Sequence, residues 1–346
     1  MFFKKGIVLA LSAIVMGTGA AAETVLIHGE AGPNRGARAA ALQWFADRVT
    51  ERSDGDLRID IQWGGALFKA NASVQSIRDG VADMGTVIAV YFPKEMAGYG
   101  IADLPLDNPD PWVGMRATDA LMRGSEAIQR DLADKNLVYI GSWTTSQVNI
   151  GCKGAAIRSV DDVTGKKVRG VGAYGKVFGE IGANMVSMSI YDAYQGLDTG
   201  LIDCSQGYSF AVAALKQEEV MDSYTLLNWG QVGGLGLFIN KDTYDGLTPK
   251  QQTVLAETGR DMADEFGRII TAANENAIVA MRERGVEIIE LPEGERAKLL
   301  TMGKKFVEQW IDTANSAGLP GEALLKEYRT LIAEFTAERT NNGYPW

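Results

Sequence analysis

The sequence predicts an α/β protein of two similar lobes with a cleft between them. Three observations carry that expectation. Strand and helix patterns alternate with short loops near the start of the chain, the mark of a largely parallel sheet. The same order returns about 120 residues later. A helical stretch near 248–285 is also too long for one small domain.

Taken in order, the chain opens with "MFFKKGIVLALSAIVMGTGAAAE". Lys4 and Lys5 precede an apolar run, and Ala20-Ala21-Ala22 precede Glu23, the form of a cleavable secretory signal over residues 1–22. The apolar run is too short to span a bilayer comfortably. With no lipobox cysteine near the cleavage site, the expected product is free rather than lipid-anchored, and periplasmic in a Gram-negative cell. "TVLIHGEAG" follows as a strand entering a Gly-rich turn, and "NRGARAAALQWFADRVTERSDG" sets Leu42, Phe45, Ala46 and Val49 at helical spacing before Gly55. "DLRIDIQWGG" alternates Leu57, Ile59, Ile61 and Trp63 as a half-buried strand does. "ASVQSIRDGVADMGTV" returns to helix, stops near Gly80 and enters another strand.

The second series runs from strand "NLVYIGSW" through strand "KKVRGV", helix "YGKVFGEIGA", strand "MVSM" and helix "IYDAYQGLDTG" to strand "LIDCSQG". One device occurs in both series: a helix-ending glycine, Gly80 or Gly200, then two positions, then Asp83 or Asp203. Glycine suits a helix end because it takes positive φ cheaply. From Thr248 to Gly285, Thr248 as N-cap and Pro249 at the first helical position open a helical run of about 36 residues, about 54 Å if unbroken. Two helices broken near Gly267, or one helix bridging both lobes, both fit; the bridging helix is the expectation taken forward. Strand "VEIIEL" and two helices close the chain. The expected division places 23–142 plus about 230–265 in domain I, and 143–229 plus about 266–346 in domain II.

Composition narrows the function. Of 346 residues, 46% are apolar and 23% charged, an ordinary globular balance. A formal charge of −10 argues against broad nucleic-acid binding, which needs cations facing phosphates. No GxSxG, HExxH, Walker A or Cys/His metal spacing is present, so neither a catalytic apparatus, a cofactor nor a metal is expected. The single histidine, His28, is more simply structural. Cys152 and Cys204 form either a disulfide or two buried thiols, since separation along the chain does not decide bridging. Glycine-rich "GVGAYG" lacks dinucleotide-fingerprint spacing. What stands out is Arg169, at the end of a strand where ligands bind in open α/β sheets; a guanidinium there can grip a carboxylate or sulfonate bidentately.

"VDDVTGKKVRGVG…IGANMVSMSIYDAYQGLDTGLIDC" resembles the core motif of the DctP-type solute-binding proteins of TRAP (tripartite ATP-independent periplasmic) transporters. The matching positions are Asp162, Gly165, Lys167, Arg169, Gly182, Ala183, Met188, Tyr194, Leu197, Gly200 and Asp203. "RVTERSDGDLRIDIQ", "SIRDGVADMG" and "LTPKQQTVLAE" extend the likeness over most of the chain. The resemblance implies a two-domain Venus-flytrap protein with a long helix spanning both domains. It would bind a small organic anion through Arg169 and deliver it to a small DctQ-like and a large DctM-like membrane subunit. A monomer is expected.

The departures from the family pattern concern selectivity. Met185 stands for a proline, Asp192 for a glutamate, Asp198 for a glutamine, Cys204 for a glycine, and Gly207 for a ligand-holding asparagine. Trp143 takes the place of a second arginine found in many sugar-acid binders. With Tyr174, Tyr208 and Phe210 it suggests an apolar pocket suited to an aromatic or branched monocarboxylate; Phe210 is more simply core. Gln206 and Asp192 complete the expected set in the second domain. Glu30, Asn34 and Arg35 after the first strand, and Asn71 at a helix start, are the expected contacts in the first. Two rivals remain: a secreted cleft enzyme using paired carboxylates, and a sensory ligand-binding protein.

Overall fold

The computed structural model describes residues 23–108 and 110–346, and the expected signal peptide lies outside the described residues. In the first lobe, β1 (Thr24–Gly29), α1 (Gly36–Arg52), β2 (Leu57–Gln62), α2 (Ser73–Arg78) and β3 (Met84–Ile88) follow one another. Next come α3 (Pro111–Gly124), α4 (Glu126–Asp134) and β4 (Leu137–Trp143). The chain then crosses to the second lobe and forms β5 (Gln147–Cys152), β6 (Lys167–Arg169), α5 (Gly172–Ile181), β7 (Asn184–Val186), α6 (Ala193–Asp198), β8 (Cys204–Gly207), α7 (Ser209–Ala214) and β9 (Ser223–Gln231). It returns to the first lobe as β10 (Leu235–Asn240) and α8 (Lys241–Asp245). The last elements are α9 (Pro249–Glu283), β11 (Glu287–Glu290), α10 (Glu293–Ser316) and α11 (Gly321–Asn342).

Two sheets result, ordered β2-β1-β3-β10-β4 and β11-β9-β5-β8-β6-β7. In the first, β1 lies parallel between β2 and β3; in the second, β6 lies parallel between β7 and β8. Antiparallel strands enter where the chain recrosses, β10 beside β3 and β4, and β5 beside β8 and β9. The recurring order in the sequence therefore corresponds to two parallel cores of the same topology.

The helix-end device has the same structural role in both. Gly80 and Gly200 sit at φ +74° and +71°. The carboxylates that follow brace the central parallel strand of their own sheet: Asp83 accepts the Ile27 N–H at 2.7 Å, and Asp203 the Lys167 N–H at 2.8 Å. Leu42, Phe45, Ala46 and Val49 of α1 are all buried, as their spacing predicts. Ile61 and Trp63 are only half-buried, because β2 is an edge strand.

Helix α9 is continuous over 35 residues, about 52 Å at the standard rise. A capping box opens it, the Thr248 hydroxyl accepting the Gln251 N–H while the Gln251 side chain accepts the Thr248 N–H. It packs on α1, α3 and β4 of the first lobe and on α7 of the second. Gly267 does not break it; the indoles of Trp112 and Trp346 press on the space beside its Cα. The two crossings lie side by side: the Thr145 N–H donates to the Val232 carbonyl at 3.0 Å, and the Val232 N–H to Thr145 Oγ1 at 2.9 Å.

Of the two C-terminal helices expected with the second lobe, α11 packs on the first and α10 reaches both. Helix α11 lies along α3, and Leu324, Leu325 and Tyr328 join the first-lobe core. Helix α10 touches α5 and β9, yet Trp310 donates to the Ala97 carbonyl at 2.9 Å. Chain order does not reveal which apolar face covers which lobe. Cys152 and Cys204 are directly opposite on β5 and β8 and are joined as a disulfide.

Candidate ligand-binding site

The carboxyl ends of β1, β3, β4, β6 and β8 converge on the space between the lobes, and a cavity of about 610 Å³, mouth included, lies there. Ile88, Val90, Trp143, Phe210, Val232 and Leu235 make most of its wall apolar.

Arg169 stands out among its polar residues. It closes β6, is 1% exposed, and lines this cavity. Its Nε donates to the Met188 carbonyl at 3.2 Å, Nη1 to the Gln206 carbonyl at 2.8 Å, and Nη2 to the Tyr91 hydroxyl at 3.4 Å. The first two contacts are within the second lobe and the third crosses to the first. Among the described residues no carboxylate is ion-paired with it. Burying a charge is costly unless it is paired, and neutral carbonyls orient a guanidinium without cancelling its charge. The cavity therefore holds a fixed cation that an anion would balance. Tyr208 stands beside it; burial pushes its hydroxyl above the ordinary tyrosine range, and Arg169 opposes that.

A second cation, Arg38 of α1, is also buried in this wall, but it has a counterion. Its Nη1 lies 2.8 Å from Glu30 Oε1, a contact of opposite charges in which no N–H points at the oxygen. Nη2 donates to the Pro33 carbonyl at 2.6 Å, and the guanidinium lies 5.7 Å from the Trp63 ring centre. Glu30 is held in turn by the Gly32 N–H at 2.7 Å and the Thr86 hydroxyl at 2.6 Å. Behind it His28 is buried, and burial lowers it to about 4, so it stays neutral and structural at ordinary pH.

The structure brings three of the sequence-predicted residues, Arg169, Trp143 and Tyr208, to one cavity, together with Arg35 and Phe210. Glu30 is one layer back, holding Arg38. Gln206 is behind Arg169: its side-chain carbonyl accepts the Val171 N–H at 2.9 Å. Asp192 and Asn71 line the wider outer cleft, which shares Tyr91, Val171 and Tyr191 with the inner cavity. Asn34 is exposed and lines neither.

Tyr174 lies outside the cavity wall. Its hydroxyl donates toward the carbonyls of Gln231 at 2.8 Å and Leu104 at 3.2 Å and accepts the Gln231 N–H at 3.0 Å, so it ties α5 to the crossing segment. The glycines around it serve packing: a Cβ on Gly170 would stand 2.8 Å from the Gly175 Cα. Lys167 points away from the cavity, toward Asp203 at 3.5 Å. Sequence reasoning missed Tyr91, Tyr191 and Arg38. Tyr91 was findable, because it follows a strand at its carboxyl end, where the ligand rule already pointed. Arg38 looks like any charge on a surface helix.

Comparison with known proteins places this geometry. The DctP model, bacterial extracellular solute-binding protein family 7, matches residues 29–313. The chain is 25% identical over 255 residues to the 2,3-diketo-L-gulonate-binding periplasmic protein YiaO of Escherichia coli K12, covering 72% of this chain and 76% of that one. A TRAP solute-binding protein from a marine metagenome, specific for aromatic acid ligands and solved with metahydroxyphenylacetate, superposes with a TM-score of 0.81 at 23% identity; 90% of this chain and 99% of that one are covered. A TRAP solute-binding protein of Rhodoferax ferrireducens T118 with copurified benzoate gives 0.81 at 19%, covering 91% and 99%. At these identities the structural likeness is one of fold.

Proposed function

The chain belongs to the DctP family, family 7 of the bacterial extracellular solute-binding proteins, and from that premise we propose that it captures an organic monocarboxylate with an aromatic or branched apolar body. It acts in the periplasm and hands its ligand to a TRAP membrane permease. One observation carries the choice of ligand: Arg169 is buried, oriented by three hydrogen bonds, ion-paired with no described carboxylate, and set in a mostly apolar wall.

The physical sequence is short. A carboxylate entering the cleft meets Arg169 on the second lobe, and the pair is desolvated as the lobes close. In low dielectric that attraction is far stronger than in water, and the guanidinium is already oriented to receive it. The apolar body fills the wall of Ile88, Val90 and Leu235, at about 25 cal/mol per Å² of apolar surface removed from water. Polyhydroxylated acids would leave hydroxyls unpaired against that wall, which disfavours them. Tyr91 and Tyr191, one from each lobe, close the space between inner cavity and outer cleft.

The test is a thermal-shift screen of the purified mature protein against a panel of organic acids. Monocarboxylates with apolar bodies should raise the melting temperature by mass action, and Arg169→Ala should lose that shift. Unchanged affinity in Arg169→Ala would remove Arg169 as the anchor. Consumption of the ligand during incubation would point instead to an enzyme.

A further inference from the structure

Trp143 is 2% exposed, stands in the cavity wall, and carries an indole N–H with no acceptor among the described residues. Buried donors without partners are few in folded proteins, and each needs a reason. Packing supplies none here. The ring meets Phe266 edge-on with centroids 5.7 Å apart, a contact that a phenylalanine could also make. The nitrogen is the part of the side chain left over.

The charge balance of the cavity is a second, separate observation. Arg169, on the second lobe, has no carboxylate partner among the described residues. Arg38, on the first lobe, is held against Glu30, which is itself only 1% exposed. The buried part of the first-lobe wall thus carries no net charge, while the second-lobe wall carries one. Two buried donors in this wall are left over on the first lobe: Nη1 of Arg38, whose charge Glu30 balances, and Nε1 of Trp143, which is neutral.

We propose that Trp143 Nε1 donates a hydrogen bond to an uncharged oxygen of the ligand, and that Glu30, by neutralising Arg38, keeps this side of the cavity closed to a second carboxylate. The ligand class is then a monocarboxylate whose apolar body bears one hydroxyl or oxo group. This rests on Arg169 holding the carboxylate. A hydroxyl or keto oxygen can accept from the indole at no cost in charge. A second ionised carboxylate would be buried where the nearest buried cation, Arg38, is already paired, and Arg35, the other cation of this wall, is exposed.

The experiment is isothermal titration of the full mature protein with phenylpropanoate, phenyllactate, phenylpyruvate, ring-hydroxylated phenylpropanoate and benzylsuccinate, and with isocaproate and its α-hydroxy and α-oxo derivatives. The wild type should bind at least one singly oxygenated acid about tenfold or more tightly than its unsubstituted parent, the size of one hydrogen bond. Trp143→Phe, which keeps the ring and removes the N–H, should bring that ratio close to one. Glu30→Gln should improve benzylsuccinate relative to phenylpropanoate by about tenfold.

If Arg169→Ala binds the panel as well as the wild type does, the anchor reading fails and this inference with it. If Arg169→Ala loses binding while Trp143→Phe keeps the wild-type ratio, only this inference falls. A wild type that binds none of the panel, or prefers the unsubstituted acids, also overturns it. Should Glu30→Gln not fold, the wild type still decides: benzylsuccinate bound as tightly as phenylpropanoate removes the role of Glu30.

Discussion

Asp83 and Asp203 occupy corresponding points of the two lobes and hold their sheets in the same way, through the Ile27 N–H at 2.7 Å and the Lys167 N–H at 2.8 Å. Each follows a helix that ends at a positive-φ glycine, and each precedes the strand that pairs with the one it braces. The second of these braces sits two residues before Arg169. The aspartate that fixes the start of β6 thus helps set where the cation at its end points.

Replacing either aspartate by alanine should cost on the order of 1–3 kcal/mol, because a strand N–H loses its acceptor. Asparagine keeps an acceptor oxygen and should cost less. Urea unfolding checks this, and Asp203→Ala should also weaken ligand binding more than Asp83→Ala does. Alanine variants as stable as the wild type would show that water replaces the carboxylate.

The Cys152–Cys204 bridge closes a loop with a sequence separation of 52 across adjacent strands of the lobe that carries Arg169. The chain-entropy estimate for such a loop is about 4 kcal/mol. Replacing both cysteines by serine, or reducing the protein, should lower the unfolding free energy by about 2–4 kcal/mol. Denaturant titration with and without reductant tests it; coincident curves would mean that the strand pairing already confines the loop.

Gly259 brings α9 against β4 so closely that a Cβ there would lie 1.9 Å from the Ile140 carbonyl oxygen. Alanine is favoured over glycine in a helix by about 1 kcal/mol, yet here the helix must move off the sheet. Gly259→Ala should therefore destabilise by at least 1–3 kcal/mol, the usual range for overpacking. A melting temperature at or above the wild type would contradict this close approach.

Asp103 is buried beside the return crossing, where its Oδ1 accepts the Gly234 N–H at 2.8 Å. Burial raises it to about 7, although the Gly234 and Gly233 N–H groups pull the other way. With a folded pKa above the unfolded value, the folded protein keeps a proton that the unfolded chain gives up. Stability should therefore fall as pH rises from about 4 to about 7 and level off above that. Asp103→Asn should remove this slope, gaining on the wild type by a few kcal/mol at pH 8 and little at pH 4. Parallel melting curves across that range would show that the carboxyl ionises freely in the fold.

Much of the fold was legible in the residues because periodicity reports which face of an element is buried. The spacing of Leu42, Phe45 and Val49 marked α1, Thr248-Pro249 marked the start of α9, and the paired Gly-x-x-Asp runs marked two lobes of one design. Arg169 was legible for a related reason: a cation at the end of a short strand, next to glycines, has few places to go except the cleft. Tyr174 misled because an aromatic residue near such an arginine has the same local pattern whether it faces a ligand or a crossing segment.

By itself, then, the sequence determined the order of strands and helices, the doubling of the lobe, the family, and the strand-end position of the cation, all properties of neighbours along the chain. Only the tertiary structure decided that Arg38 is cancelled by Glu30 while Arg169 stands unpaired by any described carboxylate, that the Trp143 N–H has no acceptor among the described residues, and that α11 lies against the first lobe. Charge balance and hydrogen-bond satisfaction are set by groups far apart in sequence that meet only when the lobes pack. A one-dimensional pattern shows that a side chain is buried, not what it is buried against.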